Sequence, residues 1–146
     1  MPRKPLSILL VEDDEAHAEV VRLALDEAGV GGSLTVAPSS EAAWDLLRGT
    51  DPARKIQKPF VAIIDLRLPG ASGIEFLDSL RQDPEFCDSV VFVLSGTASQ
   101  DDVEEVYERN VAGYVRKDSL EQAARGLAEL LGHFQRSVVL PGEPLY

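Results

Sequence analysis

Short, almost wholly apolar runs alternate with amphipathic stretches along the whole sequence. Leu6–Val11 is the first such run, the pattern of a strand buried on both faces of a parallel sheet. Ala16–Ala28 follows with Val20, Leu23, Ala24 and Ala28 as a helical stripe, and Gly29 is its stop signal. Leu34–Ala37 reads as a second strand. Ser39 and Ser40 are capping residues for a helix over Glu41–Arg48, with Ala43, Leu46 and Leu47 facing inward. Gly49–Pro59 has no periodicity, contains two prolines and three basic residues, and is long for a helix-to-strand connection, so it reads as an inserted loop. Phe60–Ile64 is the third strand, punctuated afterwards by Pro69-Gly70 and Gly73. Helix Ile74–Gln82, strand Val90–Leu94, helix Asp101–Arg109, strand Gly113–Arg116 and helix Leu120–Gln135 complete the series, before a tail Arg136–Tyr146. Five strands alternating with five helices specify right-handed βαβ units: an α/β, doubly wound parallel sheet with helices on both faces. Ligands of such sheets bind at the carboxyl ends of the strands, near the switch in strand order.

The 146 residues suit one compact domain, expected over 1–135 with 136–146 as a tail, and leave no room for a separate output domain. An apolar share of 45% is enough for a real core and excludes disorder as the main state. The formal charge of −11 argues against nucleic acid as a direct partner and against an anionic membrane surface. A single cysteine, Cys87, excludes an internal disulfide and suits a reducing compartment. The apolar start of the chain is too brief for a signal peptide, and Glu12-Asp13-Asp14 closes it where small residues would form a cleavage site. No other stretch approaches the roughly 18 apolar residues of a membrane span. A soluble, cytoplasmic protein is expected.

Polar residues collect where the strands end. The first strand runs into Glu12-Asp13-Asp14, the third into Asp65, the fourth into Ser95-Gly96-Thr97 and the fifth into Arg116-Lys117. Carboxylates converging on one sheet edge repel one another unless a cation neutralises them, and oxygen ligands without His or Cys suit Mg²⁺. A lysine opposite a carboxylate, with a hydroxyl and a small glycine beside it, fits a transferable phosphoryl group. Asp65 is then the nucleophile, forming an acyl phosphate, and Gly96 leaves room for the incoming group. Asp14 is expected only to cap the next helix, His17 to be a solvated helix residue, and Trp44 and Phe76 to be core.

These residues resemble the receiver domain of two-component response regulators, over about residues 5–135. Ile8-Leu-Leu-Val-Glu-Asp13, Ile64-Asp-Leu-Arg-Leu-Pro69, Leu94-Ser-Gly-Thr97 and Tyr114-Val-Arg-Lys117 carry the resemblance, with 30 residues from Asp65 to Ser95. It implies a flavodoxin-like sheet in the order 2-1-3-4-5 and a phosphorelay function. In it, Asp65 accepts a phosphoryl group from a sensor histidine kinase. The resemblance makes Asp13 a direct Mg²⁺ ligand, Glu12 the acid holding a metal-bound water, and the backbone carbonyl of Arg67 a further ligand. It makes Lys117 the partner of the phosphoryl oxygens, Ser95 the switch hydroxyl and Tyr114 the aromatic that turns inward behind it. Arg67 and Thr97 occupy positions that tune phosphate lifetime, and Asp118 stands where most receivers have proline.

The inserted loop and the ending Phe134-Gln-Arg-Ser-Val-Val-Leu-Pro141 are similar to single-domain regulators paired with phytochrome-type histidine kinases. Such a chain signals through contacts with a downstream protein and catalyses only its own phosphotransfer and dephosphorylation. Phe134, Val138, Val139 and Leu140 are the expected surface of a homodimer. The alternative is a tail folded back on its own domain. A haloacid-dehalogenase-type phosphatase is the rival enzyme, but it needs a second aspartate where Arg67 stands. A flavodoxin-like flavin binder is a second rival, and its phosphate would be repelled by Glu12-Asp13-Asp14. A receiver-like scaffold that is never phosphorylated is the third.

Overall fold

The computed structural model describes residues 6–30, 33–96 and 99–143. The chain runs β1 (Ser7–Val11), α1 (Glu15–Glu27), β2 (Ser33–Ala37), α2 (Ser40–Arg48), β3 (Phe60–Ile64), α3 (Gly73–Gln82), β4 (Val90–Ser95), α4 (Gln100–Glu108), β5 (Gly113–Arg116) and α5 (Leu120–Ser137). A single 3₁₀ turn, Pro52–Arg54, lies in the inserted loop. The strands form one parallel sheet in the order β2-β1-β3-β4-β5, as expected.

Side chains of a strand alternate between faces, and the core divides accordingly. Ile8, Leu10, Val61, Ile63, Phe92 and Leu94 point to the face covered by α1 and α5. Leu9, Val11, Ala62, Ile64, Val91 and Val93 point to the face where α2 and α3 pack, with Val106 of α4. The three central strands are therefore almost wholly apolar, and the buried polar side chains Glu12, Asp65 and Ser95 collect at the carboxyl edge. Helix starts are set by short polar side chains. Asp14 caps α1, its Oδ1 accepting from the amides of Ala16 (2.9 Å) and His17 (3.2 Å), and the latter bond is the leading cause that lowers its pKa. Ser39 caps α2, whereas Ser40 lies inside the helix and donates to the carbonyl of Ala71.

The stripe of α1 differs from the sequence expectation. The buried side of α1 is Ala18, Val21, Ala24 and Leu25, and Leu23 is 53% exposed. In α5 the buried side is Ala124, Leu127, Ala128 and Leu131, and Leu130 faces out. Alanines fit either side of a helix, so the centre of an alanine-rich stripe is decided by the neighbour against which it packs.

The tail also departs from its expected role. α5 runs on to Ser137, and Phe134 lies over the sheet, 5.5 Å from the ring of Phe92 rather than beyond the sheet edge. Val138 packs on the same core and Leu140 is buried in it, while Val139 is 52% exposed. Three of the four expected dimer residues are thus committed to their own domain. The tail then turns, with Leu140 N–H donating to Glu143 Oε2 at 2.9 Å, and brings Gly142 against Lys58 of the inserted loop. A Cβ on Gly142 would stand 2.9 Å from that of Lys58, and its φ is +83°. Insertion and tail, distant in sequence, meet in space.

Candidate functional site

The sheet register builds the site. β1 and β3 pair with Val11 opposite Ile64, so the next residues, Glu12 and Asp65, emerge side by side. Backbone pairing continues one step further: Asp65 N–H donates to Val11 (3.0 Å) and Glu12 N–H to Ala37 (2.9 Å). On the other flank Ser95 pairs with Arg116, and Lys117 N–H donates to the Ser95 carbonyl at 3.0 Å. Four strands each deliver one functional residue to the same edge.

Lys117 is the hub. Its buried ammonium donates to Glu12 Oε1, to Asp65 Oδ2 at 2.9 Å and to Nδ1 of His17 at 3.1 Å. The other carboxylate oxygen of Asp65, Oδ1, accepts from the amide of Arg67 at 2.9 Å and faces the hydroxyl of Ser95 at 3.4 Å. Glu12, Asp65 and Ser95 are buried, while Asp13 is exposed. Burial pulls the lysine pKa down, but the bonds to Glu12 and Asp65 outweigh it and the net shift is upward, so Lys117 stays charged. Glu12 is raised, mainly by burial, against the opposing pull of Lys117.

Glu12, Asp13 and Asp65 each offer a carboxylate oxygen, all within 4.8 Å of one another. When ionised, these three groups against one ammonium leave two negative charges uncompensated. Oxygen donors with that excess fit a hard divalent cation, and the exposed Asp13 gives it a route from solvent.

The approach to Asp65 is sterically exacting. Gly73, at the start of α3, lies so close that a Cβ there would overlap the Asp65 carbonyl oxygen and stand 2.7 Å from the Leu66 Cα. Gly96 borders open space, where nothing comes within 4 Å of an added Cβ. Tyr114 is half-buried and packs against the core on the α2–α3 face, and burial raises its pKa. The Arg67 side chain is exposed at the rim. Thr97 lies outside the described residues. Asp118 pairs with Arg116 at the surface, and the Lys117–Asp118 peptide is trans, the one cis peptide among the described residues being Lys58–Pro59.

Sequence reading missed His17. Its ring meets Lys117, and also lies 3.5 Å from both Glu12 and Asp14, rather than pointing into solvent alone. The available signal was its place in the first turn of the helix that follows the acidic strand end: such a turn borders the carboxyl edge of the sheet.

A parallel sheet in this order, with an acidic pocket, a hydroxyl and a lysine at its carboxyl edge, is the architecture of a receiver-type signalling domain. The response regulator receiver domain family model matches residues 8–128, and the chain belongs to that family. The response regulator Rcp1 of Synechocystis sp. is 28% identical over 138 residues, covering 94% of each chain. The phosphorylated cyanobacterial phytochrome response regulator RcpA superposes with a TM-score of 0.80 at 28% identity, over 93% of this chain and 98% of that one. The Mn²⁺-bound form of Rcp1 matches equally well, with a TM-score of 0.80 and 28% identity over 93% and 99% of the two chains. Receiver domains are signalling modules that work with sensor histidine kinases and bind a divalent metal. Among the described residues no helix is long and apolar enough to cross a membrane.

Proposed function

We propose that this chain is a cytoplasmic phosphorelay regulator that takes a phosphoryl group from a phytochrome-type histidine kinase onto Asp65. The observation that carries this reading is the Lys117 ammonium bonded to both Glu12 and Asp65, with Ser95 facing the other oxygen of Asp65. An Asp65 carboxylate oxygen attacks phosphorus, the bond from phosphorus to the donor imidazole nitrogen breaks, and that nitrogen keeps the electron pair. Lys117 and Ser95 then face the transferred oxygens. Glu12, Asp13, Asp65 and the backbone carbonyl of Arg67 would hold Mg²⁺, which supplies neutralisation of charge on the phosphoryl oxygens. The exposed Arg67 guanidinium and Thr97 are placed to tune how long the acyl phosphate survives.

The acyl phosphate carries about −1.5 to −2 where the free carboxylate carried −1; its charge and added oxygens draw Ser95 and Lys117 inward and bias the face of α4, β5 and α5 towards a second state that a downstream protein reads. Kinship with Rcp1 and RcpA, together with the inserted loop and tail, supports the phytochrome pairing. Phosphotransfer from an autophosphorylated phytochrome-type kinase is expected to be at least about tenfold faster than from an unrelated histidine kinase, about 1.4 kcal/mol of barrier. Equal rates from the two donors would remove the pairing and leave the acceptor role standing.

The same reading includes a homodimer, in which Val139 is the tail residue presented to a second copy. Light scattering of Val139→Asp is expected to give a mass falling towards that of one chain. A mass equal to that of the unsubstituted protein would take the tail out of the contact.

A further inference from the structure

We propose that His17 is a positioning residue for Lys117, fixing its ammonium beside Asp65 through the imidazole Nδ1; the inference rests on Asp65 being the phosphoryl acceptor. An ammonium has three donors and no acceptor. Here each donor has one partner: Glu12 Oε1 from the end of β1, Asp65 Oδ2 from the end of β3 and His17 Nδ1 from the first turn of α1. The lysine side chain is only 6% exposed, so a missing third partner is not replaced freely by water. Because Lys117 only donates, Nδ1 faces it with a lone pair and the ring proton sits on Nε2. That nitrogen faces Asp14 Oδ2 at 3.5 Å, and the same aspartate caps α1 through the His17 amide. Ring orientation is thus set from the helix start.

The role follows from competition for Glu12. Lys117 is bonded to Glu12, and Glu12 also belongs to the acidic group that a divalent cation would occupy. When Glu12 turns to the cation, the ammonium loses its first partner. His17 offers the one uncharged acceptor in contact with Nζ, which the cation does not compete for through charge, and it lies on the solvent side of the pocket at 41% exposure. The lysine therefore stays next to Asp65 instead of following Glu12 or leaving the pocket.

Acetyl phosphate labelling at saturating Mg²⁺ tests this. His17→Ala, at an exposed helix position, is expected to fold and to be labelled about tenfold more slowly, the low end of the effect of one hydrogen bond to a charged group. His17→Asn places an amide oxygen where Nδ1 was and is expected to recover the rate to within about twofold. Unchanged labelling of His17→Ala overturns the inference, as does equal slowing of both variants. A second readout needs no phosphate: ¹⁵N spectra of the unsubstituted protein are expected to show His17 protonated on Nε2, with an Nδ1 signal displaced by Lys117→Met. An Nδ1 signal indifferent to Lys117→Met overturns it too. Failure of the unsubstituted protein to label at all would strike the acceptor reading, and the spectra would still decide the histidine–lysine contact.

Discussion

Replacing Asp65 by Asn is expected to bring labelling by acetyl phosphate down to background while leaving the chain folded. The amide keeps an oxygen of the same shape for the Arg67 amide and the Ser95 hydroxyl, which now meet Asp65 Oδ1. Its NH₂ group takes the place of Oδ2, so Lys117 loses that acceptor and is held by its bond to Glu12. What the amide lacks is the anionic nucleophile, and no neighbouring group stands in for it: Glu12 is tied to Lys117, and Asp13 lies exposed beside β1 rather than at the end of β3. Far-ultraviolet circular dichroism matching the unsubstituted protein, with labelling lost, is the expected pair of results. Labelling retained at the original level would remove Asp65 as acceptor.

Arg81→Ala is expected to cost about 3 kcal/mol of stability, measured by urea unfolding, with no direct effect on the acceptor pocket. The guanidinium leaves the last turn of α3 and donates to four backbone carbonyls: Arg109 at 2.8 Å, Cys87 at 2.9 Å, Ser89 at 2.7 Å and Asn110 at 3.0 Å. These belong to the α3–β4 and α4–β5 connections, where no helix or strand partner satisfies them. Asn110 itself sits at φ +60°, a left-handed turn residue that the contact helps to hold. Next to it, Arg109 joins α4 to α3 through Asp78. Arg81→Lys is expected to recover less than half of the loss, because one ammonium cannot reproduce the planar fork. A loss under about 1 kcal/mol for the alanine variant would show that water satisfies these carbonyls as well as the arginine does.

Much of the site was legible in sequence because parallel strands end in a fixed place. A residue ending an all-apolar run is necessarily at the carboxyl edge, so Glu12, Asp65 and Ser95 could be brought together from position alone, and Lys117 joins them as the residue after the short strand Gly113–Arg116. Helices give no such certainty. His17 needed the direction of the first turn of α1, which depends on the Asp14 cap and on how the helix lies over the sheet. Leu23 was assigned inward because Ala16, Ala18, Ala24 and Ala28 allow several stripes, and packing against α5 selected Ala18, Val21, Ala24 and Leu25. The tail was ambiguous for another reason. Apolar residues at a chain end can cover their own core or another copy's, and only the room left in the α1–α5 core decides for Leu140, which is buried there. Arg81 carries no motif; its four acceptors are backbone atoms, which a sequence does not display.

On the proposed function, Asp65 takes a phosphoryl group with the help of a divalent cation. The most direct measurement is to treat the full chain with acetyl phosphate and Mg²⁺, reduce the acyl phosphate with borohydride and locate the reduced residue by peptide mass spectrometry. The expected result is modification at Asp65, lost when EDTA removes the cation. Modification at another residue, or equal modification of Asp65 in EDTA, would contradict it.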